Sequence, residues 1–344
     1  MNETTNKRLF PSIDIAKFFF CLCVIALHAK AFVWLPEGYY VLDKAVFRLA
    51  VPFFFVASGF FLGKKVLQLP KEQMWQAVKR YCIHLLKILV MFELINVILV
   101  FIRDLSKGIA FEQIAIKTAY YAIVHPYGSL WYIQASIIGA LLLYPFVKRN
   151  KLNLAVIIGV CLFCLGLLCN SYYFIAEGTV IQPLVDQYLH YFFTARNGLF
   201  VGFIYISIGF LCARRYLEHD GQLFSGKKQA MLCLVGTYFL YLIEVYMVHG
   251  GKRADDGSMF LLHLILIPVL FFTLLYWEPN IKPTTSLMLR NLSTGMYLLQ
   301  RPLLIIYSIW KIWTDINIPG FYRFILVTIV AAGLCIPYYR RNSH

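Results

Sequence analysis

Long apolar segments joined by short polar connections constrain the fold of this 344-residue chain more than any other feature. About 20 apolar residues in a helix cross the hydrocarbon core of a bilayer, so each segment is a candidate membrane span. Ten spans are predicted, at residues 15–35, 44–62, 82–102, 129–147, 152–170, 199–213, 229–248, 259–276, 292–310 and 321–338. Because 60% of the residues are hydrophobic and only 14% are charged, soluble and disordered chains are excluded. We predict an all-α, polytopic membrane protein with one domain over residues 1–344.

The net charge of +15 lies mostly in alternate connections between these segments. Lysine and arginine are retained in the cytoplasmic loops of membrane proteins, so this pattern predicts that both termini are cytoplasmic. We expect the chain to span a cell membrane, in a bacterium the cytoplasmic one. The same rule accounts for the charge without nucleic acid, so the expected partner is the lipid bilayer. No cluster has the spacing of metal ligands, and no metal site is predicted.

The first apolar segment carries ionisable side chains that a lipid-facing helix would not tolerate. Asp14, Lys17, Cys21 and His28 fall on nearly the same face, since the eleven residues from Lys17 to His28 make three helical turns. An ionisable group inside a membrane is costly unless it faces a partner or water. This polar face therefore predicts the wall of a site.

The second segment carries Arg48 near its beginning and contains the small pair Ser58-Gly59. The arginine either extends to the interface or belongs to a site. The small pair permits close helix contact, which serves packing within the chain and a homodimer equally. Two longer outer connections, 103–128 and 171–198, either anchor the protein at the interface through their aromatic residues or roof a binding site.

Several motifs, in this order, resemble the acyltransferase-3 family of integral membrane acyltransferases. They are Lys17 followed after ten residues by His28, the run Phe53-Phe54-Phe55-Val56-Ala57-Ser58-Gly59-Phe60, the triplet Leu130-Trp131-Tyr132, and Arg196-Asn197-Gly198-Leu199-Phe200. Lys17 replaces the usual arginine, and Gln300 stands where the family often has a histidine. The lysine form resembles the membrane half of vancomycin-resistance serine racemases, and we expect no counterpart of their cytoplasmic racemase domain.

The resemblance implies transfer of an acyl group, commonly acetyl, from cytoplasmic acyl-CoA to a hydroxyl or amino group. His28 is the expected general base, because a neutral imidazole is available near neutral pH. Arg48 would orient His28 or stabilise the developing oxyanion, and Asp14 would hold Lys17. No cofactor is expected to be resident, since acetyl-CoA or another acyl-CoA is a co-substrate. The acceptor would be an envelope glycan or a small molecule.

The residues expected to bind the donor are Lys17, Ser58, Lys64, Lys65, Lys79, Arg80, Trp131 and Tyr132. Those expected to bind the acceptor are Arg196, Asn197, Gln300 and Arg301. For the basic residues of connections, setting the topology is the competing role. Glu93, Glu244 and His263 also lie within apolar segments, and the sequence does not choose among them.

Two other classes of protein fit the same features. A transporter of a small polar solute, such as an amino acid, also needs charges inside the membrane, although no internal repeat supports this. A structural or sensory subunit would keep its function when His28 is replaced. The sequence favours the enzyme.

Overall fold

The computed structural model describes residues 9–219, 224–253 and 257–342, and within these ranges all regular elements are helical. The α-helices are α1 (Pro11–Ala29), α2 (Pro36–Val41), α3 (Ala50–Val66), α4 (Lys71–Ser106), α5 (Phe111–Val124), α6 (Trp131–Lys148), α7 (Leu152–Leu168), α8 (Tyr173–Ala176), α9 (Gln182–Phe192), α10 (Phe203–Glu218), α11 (Lys227–His249), α12 (His263–Tyr276), α13 (Pro283–Thr314) and α14 (Gly320–Asn342). The all-α prediction is confirmed for this part of the chain.

Short stretches of other helix types precede three of these elements. A π-helical stretch, Leu42–Val46, and a 3₁₀ stretch, Phe47–Leu49, lead into α3. A second π-helical stretch, Gly198–Gly202, leads into α10, and the 3₁₀ turn Gly128–Leu130 leads into α6. π-Helical turns are rare and often occur at functional sites.

Seven helical stretches of the described chain are long and apolar enough to span a membrane. They run over residues 11–29, 38–66, 71–106, 128–148, 198–218, 227–249 and 320–337, and each corresponds to a predicted span. The other three predicted spans are also helical. Of these, α7 and α12 have 17 and 14 residues and are too short to qualify by length, whereas α13 has 32 residues and is less apolar.

The first span begins and ends earlier than predicted. Pro11 occupies the first turn of α1, where a missing backbone N–H costs nothing. The helix ends at Ala29 because Lys30 takes a left-handed conformation, with φ of 56°. Backbone N–H groups of Lys30 and Ala31 then donate to the carbonyls of Leu27 and Ala26, the Schellman pattern. His28 therefore lies in the last turn of the helix rather than near the middle of a span.

Helices α3 and α10 form the centre of the bundle. A Cβ atom added to Gly59 would lie 2.6 Å from the backbone oxygen of Ile206, and one added to Gly209 would lie 2.5 Å from that of Val56. The two backbones are thus as close as glycine permits. The close contact predicted from Ser58-Gly59 is present, and it lies within the chain.

The remaining helices surround this pair and bring several helix ends together. Helices α6 and α7 pack on α10, α12 packs on both α3 and α11, and α1 packs on α13 and α14. The end of α1 and the beginnings of α3, α6 and α12 meet at one end of the bundle, where they enclose a cavity. The beginning of α1 lies at the opposite end.

Candidate active site

A cavity of about 290 Å³ lies among these converging helix ends. Four of the residues predicted from the sequence line it, namely His28, Arg48, Trp131 and Arg196. They come from four separate parts of the chain, so their convergence is a property of the fold. The volume is near the lower end of the roughly 300–1,000 Å³ typical of small-molecule pockets. The cavity can hold a small molecule or part of a larger one.

The position of His28 is set by the end of α1. The imidazole is half-buried and lines the cavity. Behind it, Arg323 of α14 donates from Nε and Nη2 to the carbonyl oxygen of Ala29, at 3.0 and 2.7 Å. This arginine thereby satisfies one of the carbonyls that every helix leaves unpaired at its C-terminus.

Arg48 is held by a carboxylate that the sequence analysis did not identify. Its Nε lies 2.7 Å from Oδ1 of Asp43, and Nζ of Lys44 lies 2.9 Å from Oδ2 of the same carboxylate. The carboxylate is almost completely buried, as is Lys44. Asp43 and Arg48 are five residues apart and joined through a π-helical turn, so the α-helical spacings of three and four residues do not reveal the pair.

His263 also lines the cavity, which gives one of the three unassigned ionisable residues a place at the site. Its Nε2 lies 2.9 Å from the hydroxyl of Tyr241, and that hydroxyl donates to the backbone carbonyl of Lys44. Because a phenol has one proton to donate, Nε2 of His263 must itself donate to Tyr241. His263 and Tyr241 therefore support the segment that carries Arg48.

Arg196 and Trp131 form a cation–aromatic pair in the cavity wall. The guanidinium carbon lies 5.6 Å from the centre of the Trp131 ring, within the range of a cation–π contact. Nε of Arg196 donates to the hydroxyl of Thr194 at 3.3 Å. The 171–198 connection thus contributes a side chain to the cavity, as expected if it helps to roof a site.

Ser58 and Tyr132 lie together, deeper in the bundle than the cavity lining. Their hydroxyls are 2.7 Å apart, and Tyr132 is also within hydrogen-bonding distance of the Phe54 carbonyl, at 3.1 Å. Phe54 and Tyr132 each pack against Tyr297, which does line the cavity. The two predicted donor-binding residues therefore form one polar cluster beside the cavity.

Asn197, Gln300 and Arg301 have local roles in the structure. The Asn197 side chain accepts from the backbone N–H groups of Leu199 and Phe200 and donates to the hydroxyl of Tyr188 at 2.8 Å. Burial raises the pKa of Tyr188 to about 12, so this phenol stays neutral. Unlike Arg196, the fourth predicted acceptor-binding residue, none of these three is among the residues lining the cavity.

Gln300 is completely buried on α13, and its amide donates to the Tyr297 carbonyl at 3.0 Å. The side chain of Arg301 packs against Gly128, which has a φ of 63°. A Cβ atom at Gly128 would lie 2.6 Å from Cδ of Arg301, so a glycine is required there by both conformation and space. Their part in acceptor binding stays a prediction.

At the opposite end of the bundle, Asp14 is paired with Arg290. The carboxylate is completely buried, accepts from Arg290 at 2.9 and 2.8 Å, and accepts from the hydroxyl of Ser286 at 2.6 Å. The planar guanidinium of Arg290 binds both carboxylate oxygens of Asp14. That Asp14 also holds Lys17 stays a prediction. The pair of Asp14 and Arg290 joins α1 to α13, so the geometry favours a structural role for Asp14.

Two of the predicted donor-binding lysines lie over aromatic rings at this end. The ammonium group of Lys17 is 4.9 Å from the ring centre of Phe61, and that of Lys64 is 4.9 Å from that of Phe10. The Phe10 and Phe61 rings are themselves in contact, with centres 5.7 Å apart. The remaining three cations are exposed, as a phosphate-binding surface would require: Lys65, Lys79 and Arg80.

Glu93 and Glu244 bind backbone N–H groups. Glu93 accepts from the N–H of Tyr127 at 3.1 and 3.2 Å. Glu244 accepts from Leu262 at 2.9 Å, at the beginning of α12, and from the hydroxyl of Tyr172. A carboxylate at a helix N-terminus is favourable, so Glu244 stabilises the helix that begins with His263.

Among the residues that the structure describes, no group of three or more His, Cys, Asp or Glu side chains could hold a metal ion. The family profile described as an acyltransferase domain matches residues 10–340. No solved structure matches the chain.

The curated relatives that the chain matches are named as racemases. An amino-acid racemase of Enterococcus faecalis is 28% identical over 312 residues, which are 87% of this chain and 42% of the relative. A serine/alanine racemase of Enterococcus gallinarum is 26% identical over 275 residues, which are 78% of this chain and 37% of the relative. The matched region is thus less than half the length of either relative.

Proposed function

The chain belongs to the acyltransferase-3 family, and from that premise we propose that it transfers an acyl group, in the first instance acetyl, from acyl-CoA to a hydroxyl or amino group of an acceptor. The observation that carries this proposal is the convergence of His28 and Arg48 on one cavity. An imidazole can serve as the general base of acyl transfer from a thioester, and a guanidinium can stabilise the oxyanion that develops.

In the proposed reaction, His28 takes the proton of the acceptor as its oxygen or nitrogen attacks the thioester carbonyl carbon. The carbonyl oxygen becomes an oxyanion, which the Arg48 guanidinium stabilises. The carbon–sulfur bond then breaks, and the imidazolium gives its proton to the departing CoA thiolate. Asp43 fixes the guanidinium before the reaction begins, so Arg48 needs no reorganisation when charge develops.

The donor would enter from the end of the bundle opposite the cavity. Lys17 and His28 are separated by eleven residues of one helix, or about 16 Å. An extended pantetheine arm would cover this distance while its phosphates stay near the exposed Lys65, Lys79 and Arg80. Ser58 and Tyr132 would contact the arm on its way to the cavity.

The test is acetyl-CoA binding and slow hydrolysis by the protein in nanodiscs. We expect saturable binding, and turnover that falls about 10²–10⁴-fold in His28→Ala, the usual contribution of a general base. Lys17→Ala should weaken binding. His190→Ala is the matched control, because His190 is exposed on α9 and away from the cavity. Equal turnover by wild type and His28→Ala, or failure of acetyl-CoA and longer acyl-CoAs to bind, would refute the proposal.

A second candidate function is transport of a small polar solute such as serine. The observation that favours it is the naming of two relatives as amino-acid and serine/alanine racemases, although the chain matches under half of each. Labelled serine and alanine should be tried both as acetyl acceptors and as transported solutes in proteoliposomes. Uptake without any acetyl-CoA turnover would favour the transporter.

A further inference from the structure

The last turn of α1 is fixed from outside by a second helix. Three residues of that region come together here: Ala29, which ends α1, and Gly320 and Arg323, which begin α14. The Ala29 carbonyl accepts two hydrogen bonds from the Arg323 guanidinium, at 3.0 and 2.7 Å. A Cβ atom added to Gly320 would lie 2.0 Å from the carbonyl oxygen of Lys30. The beginning of α14 is therefore in direct backbone contact with the turn that follows His28.

Arg323 is itself held in place by α13. Its guanidinium carbon lies 5.0 Å from the ring centre of Tyr307. The Tyr307 hydroxyl accepts from the backbone N–H of Ile318 at 3.0 Å, in the connection between α13 and α14. The cation lies at the C-terminal end of α1, where the helix dipole is negative and positive charge is favourable. Tyr307 thus fixes the position of the Arg323 guanidinium, and the C-terminal end of α1 favours its positive charge.

The contact matters for His28 because it is made with the next residue of the same helical turn. His28 is the last residue but one of α1, and Ala29, which accepts from Arg323, is the residue after it. The Schellman hydrogen bonds satisfy the Ala26 and Leu27 carbonyls but not that of Ala29. Without Arg323 this carbonyl would lose its side-chain partner, and the final turn would lose one of the contacts that fix its direction.

We infer that Arg323 is a positioning residue for His28, which it aims into the cavity through the Ala29 carbonyl. The inference rests on the proposed role of His28 as the base. Reacting groups must be aligned closely, and a displacement of about 1 Å can reduce a rate roughly a hundredfold. Arg323 lies near the end of a predicted span, where a basic residue is usually explained by membrane topology. Its proposed role here is in the reaction.

The experiment measures acetyl-CoA hydrolysis by Arg323→Gln, alone and combined with His28→Ala. We expect Arg323→Gln to lower kcat roughly tenfold to a hundredfold, with KM for acetyl-CoA unchanged. Arg323→Lys should recover part of the loss, because an ammonium group can still donate to the Ala29 carbonyl. In the His28→Ala background, Arg323→Gln should have no further effect. Lys311→Gln, which removes an exposed cation near the end of α13, is the matched control.

The same fractional loss in both backgrounds would overturn the inference, since a purely structural defect acts whether or not His28 is present. Wild-type kcat in Arg323→Gln would also overturn it. A second readout is independent of the proposed function: the rate at which a methanethiosulfonate reagent modifies the thiol of His28→Cys, followed on that peptide by mass spectrometry. Arg323→Gln should change this rate severalfold, whereas Lys311→Gln should not. An unchanged rate would overturn the inference even if no acetyl-CoA is turned over.

Discussion

Among the described residues, two histidines line the same cavity, but their surroundings differ. His263 is fully buried and is bound through Nε2 to Tyr241. His28 is half-buried at the end of a helix and has access to the cavity. A base must reach the proton of its substrate, so His28 is the better candidate. His263 instead helps to hold the Lys44 backbone through the hydroxyl of Tyr241.

Tyr241→Phe is expected to destabilise the protein. The substitution leaves the Lys44 carbonyl and the His263 N–H without their partner in a buried region, which costs about 1–3 kcal/mol for each unsatisfied group. A thermal unfolding curve in detergent measures the effect. Tyr246→Phe is the control, because Tyr246 is 81% exposed on the same helix. Identical melting temperatures for the two variants would contradict the account.

The sequence indicated four residues that line the cavity but not how they are held in place. His28 and Arg48 could be found from the sequence because charges in apolar segments are conspicuous. Asp43 and Arg323 could not, since each acts through a contact that only the fold creates. The partner of Asp14 could not be predicted either, since Arg290 is 276 residues away along the chain.

At the scale of elements, the contact between α3 and α10 is the most extensive helix contact in the described part of the chain. Gly59 and Gly209 allow the two helices to approach until backbone meets backbone. Apolar length and small residues in the sequence predicted both helices and the presence of a close contact. The π-helical turns before α3 and α10 were not predicted, because they depend on the packing of both helices around the cavity.

Gly59→Ala is expected to force α3 and α10 apart. The added methyl group would overlap the Ile206 carbonyl, and overpacking of this kind costs about 1–3 kcal/mol or more. Gly236→Ala is the matched control, since a methyl group there meets open space on α11 and removes a helix-destabilising glycine. Size-exclusion profiles and melting temperatures should separate the two variants. Equal stability would show that the helices can move apart freely.

At the scale of the whole molecule, the number of membrane crossings decides on which side of the membrane each helix end lies. It therefore decides from which side the donor and the acceptor reach the cavity. Within the described ranges, seven helical stretches have the length and hydropathy of a span, while α7, α12 and α13 were also predicted to cross. Ten crossings, an even number, leave both termini on the same side of the membrane, whereas seven crossings leave them on opposite sides. The proposed entry of acyl-CoA from the cytoplasm requires the beginning of α1 to face that side.

Both termini are therefore predicted to be cytoplasmic. A reporter that is active only in the cytoplasm, fused in turn to the N-terminus and to the C-terminus, should be active at both ends. A reporter that needs export, such as a periplasmic phosphatase, should be inactive at both. Reporters on opposite sides would mean an odd number of crossings, and the assignment of α7, α12 and α13 would have to change.

The measurement that tests the central claim most directly is chemical rescue of His28→Ala during acetyl-CoA hydrolysis. If His28 is the base, its removal leaves space beside the attacking group, and added imidazole should restore part of the lost turnover as concentration rises. Arg48→Ala, which lacks the guanidinium but keeps the base, should not respond to imidazole. Wild-type turnover by His28→Ala without any imidazole would contradict the account, because the proton would then be taken elsewhere.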